Sequence, residues 1–258
     1  MTLKIGAHAH SLNPLDDARE LGTSVAQFNL SDPKSWKKPV FEEDLSSAVD
    51  DGVDLYVHAP YVINVASLNN RIRIPSRKLL QQHVTEAARV GAKGVVVHGG
   101  HVTKDDDPAD GFVNWRKAID GLDLPVPILI ENTAGGSYAM ARYLEAIQQL
   151  WTTIETSDNI GQVGFCLDTC HAFAAGLDMT SLVDDIRGIT GRIDLIHLND
   201  SQGKASSGVD RHANLGEGNI PADAMIDVIT TAGAPVVLET PNGLEAQRAD
   251  LDWVAARI

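Results

Sequence analysis

The sequence predicts an α/β protein built as one eight-stranded parallel (β/α)8 barrel of the TIM type, with its working residues at the carboxyl mouth. Three observations carry that expectation. Apolar, strand-like segments alternate with helix-like ones along all 258 residues, the pattern of a parallel sheet. Eight such pairs in about 250 residues is the size of a TIM barrel. Finally, His58, His98, Glu131, Asp168, His197 and Glu239 each directly follow an apolar segment, at intervals of 40, 33, 37, 29 and 42 residues. Those intervals match successive strand-helix units, so six ligand-type side chains would ring one mouth.

Composition sets the bounds. A chain of 258 residues buries a sizeable core, and one domain over residues 1–258 is favoured over two small ones. No run approaches the ~20 apolar residues of a membrane helix, and the opening Met1–Gly6 lacks the features of a secretion signal. A cytoplasmic location without membrane contact is the expectation. Cys166 and Cys170 are the only cysteines, so no disulfide framework exists; Cys166 shares a strand face with Asp168 as core filler. The formal charge of -14 argues against a general nucleic-acid coat and repels phosphate unless bound cations reverse the sign locally.

In order, strands are expected at Lys4–His8, Ser24–Leu30, Asp54–Val57, Gly94–Val97, Pro127–Ile130, Val163–Leu167, Asp194–Ile196 and Pro235–Leu238. Helices are expected over 16–21 (closed by Gly22), 42–51, 76–90 (before Gly91), 111–122, 138–154, 181–189, 221–232 and from Leu244 onward. His83 falls mid-helix as a structural or exposed residue. The loop Ser31–Pro39 carries Lys34, Trp36, Lys37 and Lys38, which suits an anionic, flat-faced partner, although an ordinary solvated loop reads the same way. The loop Ala59–Ala66, with Tyr61, is too apolar to be idle surface. Asp168 and His171, three residues apart after a buried strand, fit a metal site; an Asp capping the next turn over a packed His would look alike.

Imidazoles and carboxylates without thiolates select zinc, manganese or iron. A mouth with this many ligands holds more than one ion, one carboxylate can bridge two, and paired ions suit phosphodiester hydrolysis by lowering the pKa of a water and neutralising the attacking and leaving oxygens. They also place positive charge at the mouth of an acidic chain.

These residues carry a resemblance to endonuclease IV, the zinc-dependent deoxyribonuclease IV family. It rests on Ile5-Gly6-Ala7-His8, His58 with Tyr61-Val62-Ile63-Asn64, His98-Gly99-Gly100-His101, Ile130-Glu131-Asn132-Thr133-Ala134-Gly135, Cys166 through Phe173, His197-Leu198-Asn199-Asp200, Asp210-Arg211-His212 through Gly218, and Leu238-Glu239-Thr240. The resemblance covers nearly the whole chain. It implies three zinc ions, with manganese an alternative in one or more sites. His58 and His98 would hold the first, with Glu131 bridging to a second that also takes Asp168, His197 and Glu239; His171, Asp210 and His212 would hold the third. The implied reaction cuts the phosphodiester 5′ to an abasic site in double-stranded DNA, leaving a 3′-hydroxyl and a 5′-deoxyribose phosphate, with Glu131 as the central catalytic ligand and a monomer at work. Tyr61 matches a family residue that enters the DNA, and Trp36 and Arg211 join it as expected DNA contacts. Where the family commonly inserts an arginine, Lys34 stands at the nearest position. A metal-dependent sugar isomerase of a related barrel family is the rival reading; it would not need His171, Asp210 and His212.

Overall fold

Short apolar runs such as Gly94–His98 and Ile128–Glu131 are long enough to cross a barrel wall and too short to make stable helices, so they pair side by side. The computed structural model describes residues 3–258. Strands β1 (Ile5–His8), β2 (Val25–Phe28), β3 (Asp54–His58), β4 (Gly94–His98), β5 (Ile128–Glu131), β6 (Val163–Asp168), β7 (Leu195–His197) and β10 (Val236–Leu238) close into one parallel barrel. Between β7 and β10 a two-stranded antiparallel hairpin, β8 (Asp200–Ser201) with β9 (His212–Ala213), rises over the mouth. The helices are α1 (Pro14–Leu21), α2 (Asn70–Arg89), α3 (Pro108–Gly121), α4 (Leu144–Ile154), α5 (Thr169–Ala175), α6 (Leu182–Thr190), α7 (Ala222–Ala232) and α8 (Gly243–Ala255). No helix among the described residues is long and apolar enough to cross a membrane.

Alternation along each strand divides the side chains into two sets. The outward set, with Phe165 and Ile130 among its largest fully buried members, packs under the helices in a main core that also holds Leu80 of α2 and Trp115 of α3. The inward set forms a small separate cluster of Val25, Tyr56, Val96, Leu129, Cys166, Leu195 and Val237. On β1 the inward position is Gly6, where a Cβ would lie 1.7 Å from the carbonyl oxygen of Val25; only glycine fits there. Two residues further along every strand, the same inward face reaches the mouth.

The sequence-based boundaries hold to within one or two residues for the strands, five of which take in the ligand-type residue expected just after them, and shift further for several helices. No α-helix forms over 42–51, where only a single 3-10 turn at Ser46–Ala48 appears. Asp44 accepts from the Ser46 amide and Ser47 bonds Asp51, so short polar side chains compete with the helical ladder. α2 begins at Asn70 rather than Ser76 because Asn69 caps it through the Arg71 amide, and Pro75 is absorbed inside. Similarly, Asp107 caps α3 at Pro108. Residues 138–143 stay out of α4 and fold back on the His98–His101 loop, with Met140 N on Gly100 O at 2.9 Å and Val102 N on Tyr138 O at 3.1 Å. α5 and the β8–β9 hairpin have no counterpart among the expected elements.

Candidate metal centre

One inward position at the mouth comes from each barrel strand: His8, Gln27, His58, His98, Glu131, Asp168, His197 and Glu239. Glu131 is wholly buried at its centre. Its Oε2 lies 3.2 Å from both His58 Nε2 and His98 Nε2, and its Oε1 lies 3.1 Å from His197 Nδ1 and 3.3 Å from His171 Nδ1. His197 Nδ1 is also 3.2 Å from Glu239 Oε2. Burial alone would push the Glu131 carboxyl up, but the charges of His98 and His197 and hydrogen bonds from His171 and His197 hold it well below the usual carboxylate range.

His171 and the hairpin complete the ring. Asp168 ends β6 and caps α5, its Oδ1 accepting from the His171 amide at 2.6 Å; the capping geometry and the ligand-like placement coexist in one residue. His171 Nε2 and His212 Nε2 lie 3.1 and 3.4 Å from the same oxygen of Asp210. Burial would lower the His212 imidazole, but Asp210, Asp168 and Glu239 outweigh it and raise the group to about 9. Burial likewise opposes ionisation of Asp210, and the neighbouring imidazoles of His171 and His212 overcome it, holding that carboxyl far below its ordinary value.

Four histidines have their ring tautomer set by an oxygen behind them. His58, His171 and His212 donate Nδ1–H to the carbonyls of Ala59, Asn132 and Glu239 at 2.8, 2.9 and 3.1 Å. His197 donates Nε2–H to Gln27 Oε1 at 2.8 Å. In each case the other ring nitrogen is the one that faces the mouth and, once deprotonated, would offer its lone pair there, the arrangement metal-binding histidines use. Carboxylates are held as firmly: Asn199 donates to Asp168 Oδ2 at 2.7 Å and accepts from the Glu239 amide at 2.9 Å.

The ligand atoms fall into groups within 4.8 Å of one another: His58, His98 and Glu131; Glu131, Asp168, His197 and Glu239; Asp168, His171 and His212; and Cys170, Asp210 and His212. Buried His212 Nε2 has no hydrogen-bond partner among the described residues. Several lone pairs aimed at one space, with an orphaned nitrogen among them, fit divalent cations of the zinc type. Cys170 sits beside the third group, but burial pushes its thiol up to about 12, which keeps it a protonated core residue.

Of the expected DNA contacts, Tyr61 comes to the mouth and Trp36 to the cavity beside it. Tyr61 is 55% exposed and stacks on His98 with ring centroids 5.5 Å apart. It lines the cleft of about 370 Å³ over the ligands and an adjoining cavity of about 380 Å³ that Trp36 also borders. Lys34 and Arg211 are exposed but line neither. Gln27 escaped the sequence reading altogether. It stands in the ligand register of its strand, and only that register could have flagged an amide.

A closed parallel barrel with histidines and carboxylates around its carboxyl mouth defines a class of metal-site barrels, and residues 15–257 match the family model described as a xylose isomerase-like TIM barrel. A probable endonuclease 4 of Mycobacterium leprae is 52% identical over 250 residues, covering 97% of each chain. The crystal structure of endonuclease IV from Thermus thermophilus superposes with a TM-score of 0.80 at 27% identity, covering 98% of each chain. A D-tagatose 3-epimerase-like protein, 20% identical with a TM-score of 0.76 over 99% of each chain, shares the fold. This chain belongs to the endonuclease 4 family.

Proposed function

We propose that this chain is a DNA-repair endonuclease that hydrolyses the phosphodiester 5′ to an abasic site in duplex DNA, using three zinc ions at the barrel mouth. The observation that carries the reading is the two-faced contact of Glu131, with one oxygen towards His58 and His98 and the other towards His197 and His171. A carboxylate so placed is built to bridge. In this assignment His58 and His98 hold one ion and Glu131 links it to a second held by Asp168, His197 and Glu239. His171, Asp210 and His212 hold the third. Manganese is an alternative occupant.

Bound there, divalent ions lower the pKa of a water and neutralise charge on the attacking and leaving oxygens. The chain supplies orientation. Backbone carbonyls and Gln27 fix the imidazole tautomers, and Asn199 and Asn132 fix Asp168, so the ligands need little reorganisation when substrate arrives. Burial pushes the Tyr61 hydroxyl up to about 12, so it remains a neutral phenol beside an anionic strand and presents a flat ring at the cleft. A nucleotide without a base is the cheapest to turn out of the duplex, because no stacking is lost. Such a sugar-phosphate suits the cleft of about 370 Å³ over these residues. The sugar-isomerase reading leaves His171, Asp210 and His212 without a task.

The test is metal analysis of the purified protein beside incision of an oligonucleotide duplex carrying one tetrahydrofuran abasic analogue. About three equivalents of zinc and a single cut 5′ to the analogue are expected. Turnover of simple ketoses without incision would favour the isomerase.

A further inference from the structure

Three clefts run from the mouth to the flank of α2, each sharing a wall with the next. The mouth cleft and the adjoining cavity share Tyr61 and His98, and that cavity shares Trp36 with a third cleft of about 510 Å³. One wall of the third carries Trp36 and Lys38. The other is a single face of α2, where Arg71, Pro75, Lys78 and Gln82 recur at helical spacing.

The cleft gathers three cations with no carboxylate in its lining. In a chain of formal charge -14, Lys4, Arg19, Arg89, Arg116 and Arg192 are each paired with a carboxylate. Lys38, Arg71 and Lys78 have no ion-pair partner among the described residues, and no carboxylate lines the cleft they share. The acid one turn beyond Gln82 is Glu86; it feels the charge of Lys38 but is bound by Arg89 at 2.7 Å. Three uncompensated cations and an indole thus face one groove continuous with the metal mouth.

We propose that this cleft is a phosphate-binding extension of the mouth, which holds the backbone of the DNA strand running away from the lesion; the inference rests on the endonuclease reading above. An acidic protein gains nothing from its overall field when it meets DNA, so affinity must come from local contacts that each release condensed counterions. Arg71 and Lys78 are about 10 Å apart along the axis of α2, a span of about three nucleotides at 3.4 Å each. Trp36, between the cleft and the cavity next to Tyr61, offers a flat face to a base or sugar on the way.

The test uses the metal-loaded protein and the variant K38A/R71A/K78A, whose three positions are exposed and outside the ligand set. Incision is measured against salt concentration on two duplexes with one abasic analogue: one extends past the cleft, the other is cut short at the mouth on that side. Binding of intact duplex is followed in parallel by fluorescence anisotropy. On the long duplex the variant should show KM raised roughly tenfold with kcat unchanged, and a log-affinity against log-salt slope flatter by about 0.9 for each phosphate that is no longer neutralised. On the short duplex it should match the wild type. An unchanged KM and slope on the long duplex would overturn the proposal, and so would an equal loss on both, which would mean diffuse charge rather than a site. Should the wild type fail to incise, the endonuclease reading falls by itself; anisotropy still judges the cleft, since a variant that binds intact duplex with wild-type affinity and salt slope contradicts it. Lys78→Glu alone, a milder change, should move KM and slope the same way.

Discussion

Gln27 Oε1 accepts the Nε2–H of His197 at 2.8 Å, while Gln27 Nε2 donates to Glu239 Oε1 at 2.6 Å and faces His8 Nδ1 at 3.0 Å. One neutral amide therefore fixes the tautomer of an imidazole and the rotamer of a carboxylate assigned to the same ion. His8 can accept that hydrogen because burial, against the charge of Glu239, lowers its imidazole to about 4 and keeps the ring neutral.

Replacing Gln27 with leucine should leave the barrel folded and weaken zinc retention roughly 10- to 100-fold, the usual cost of removing such a supporting hydrogen bond. Competition with a chelator reads the change directly, without DNA. Zinc retention equal to wild type would remove Gln27 from the account.

Asp200 holds the hairpin that carries Asp210 and His212. Its buried carboxylate accepts from the amides of Ser201 and Ile220 through Oδ1, at 2.7 and 2.9 Å, and of Gly216 and Gly218 through Oδ2, at 3.1 and 2.8 Å. Asp200→Asn turns an amide NH2 against two of these donors. It should cost about 2–4 kcal/mol of stability in urea titration and one of three zinc equivalents. Full zinc content at unaltered stability would contradict the link between this anchor and the third group.

His83 predicts an acid sensitivity that lies outside the mouth. Its ring is buried in α2, neither nitrogen finds a partner among the described residues, and burial, reinforced by the charge of His58 against that of Glu86, lowers it to about 4. The unfolded chain holds more protons than the folded one below pH ~6.5, so stability is full above that value and falls as pH drops towards about 4. The loss approaches about 3 kcal/mol. Denaturant melts of wild type and His83→Leu between pH 7 and pH 4 check it; the variant should lose this part of the slope, and parallel curves would refute the assignment.

Much of this site was legible because a strand displays its residues with period two. His58, His98, Glu131, Asp168, His197 and Glu239 each end an apolar run, so placing the run in a barrel places the side chain at the mouth. Gln27 has the same register, but an amide in an apolar strand carries no chemical signal of its own. His171, Asp210 and His212 lie off the strand period; resemblance alone grouped them, because a hairpin of two-residue strands leaves no periodicity to read. The expected helix over 42–51 failed for a related reason. Leu45 and Ala48 fill the core from a single turn while Asp44 and Ser47 bind their own backbone and neighbours.

The central claim is that Glu131 joins two ions in a site that cuts a lesion-bearing strand. Incision of the abasic duplex by Glu131→Gln tests it most directly, with circular dichroism to confirm the fold and zinc content measured on the same sample. The expected result is a folded barrel with reduced zinc and a rate lower by roughly a thousandfold or more, about 4 kcal/mol of barrier. Incision at the wild-type rate by that folded variant would contradict the bridging role and the mechanism built on it.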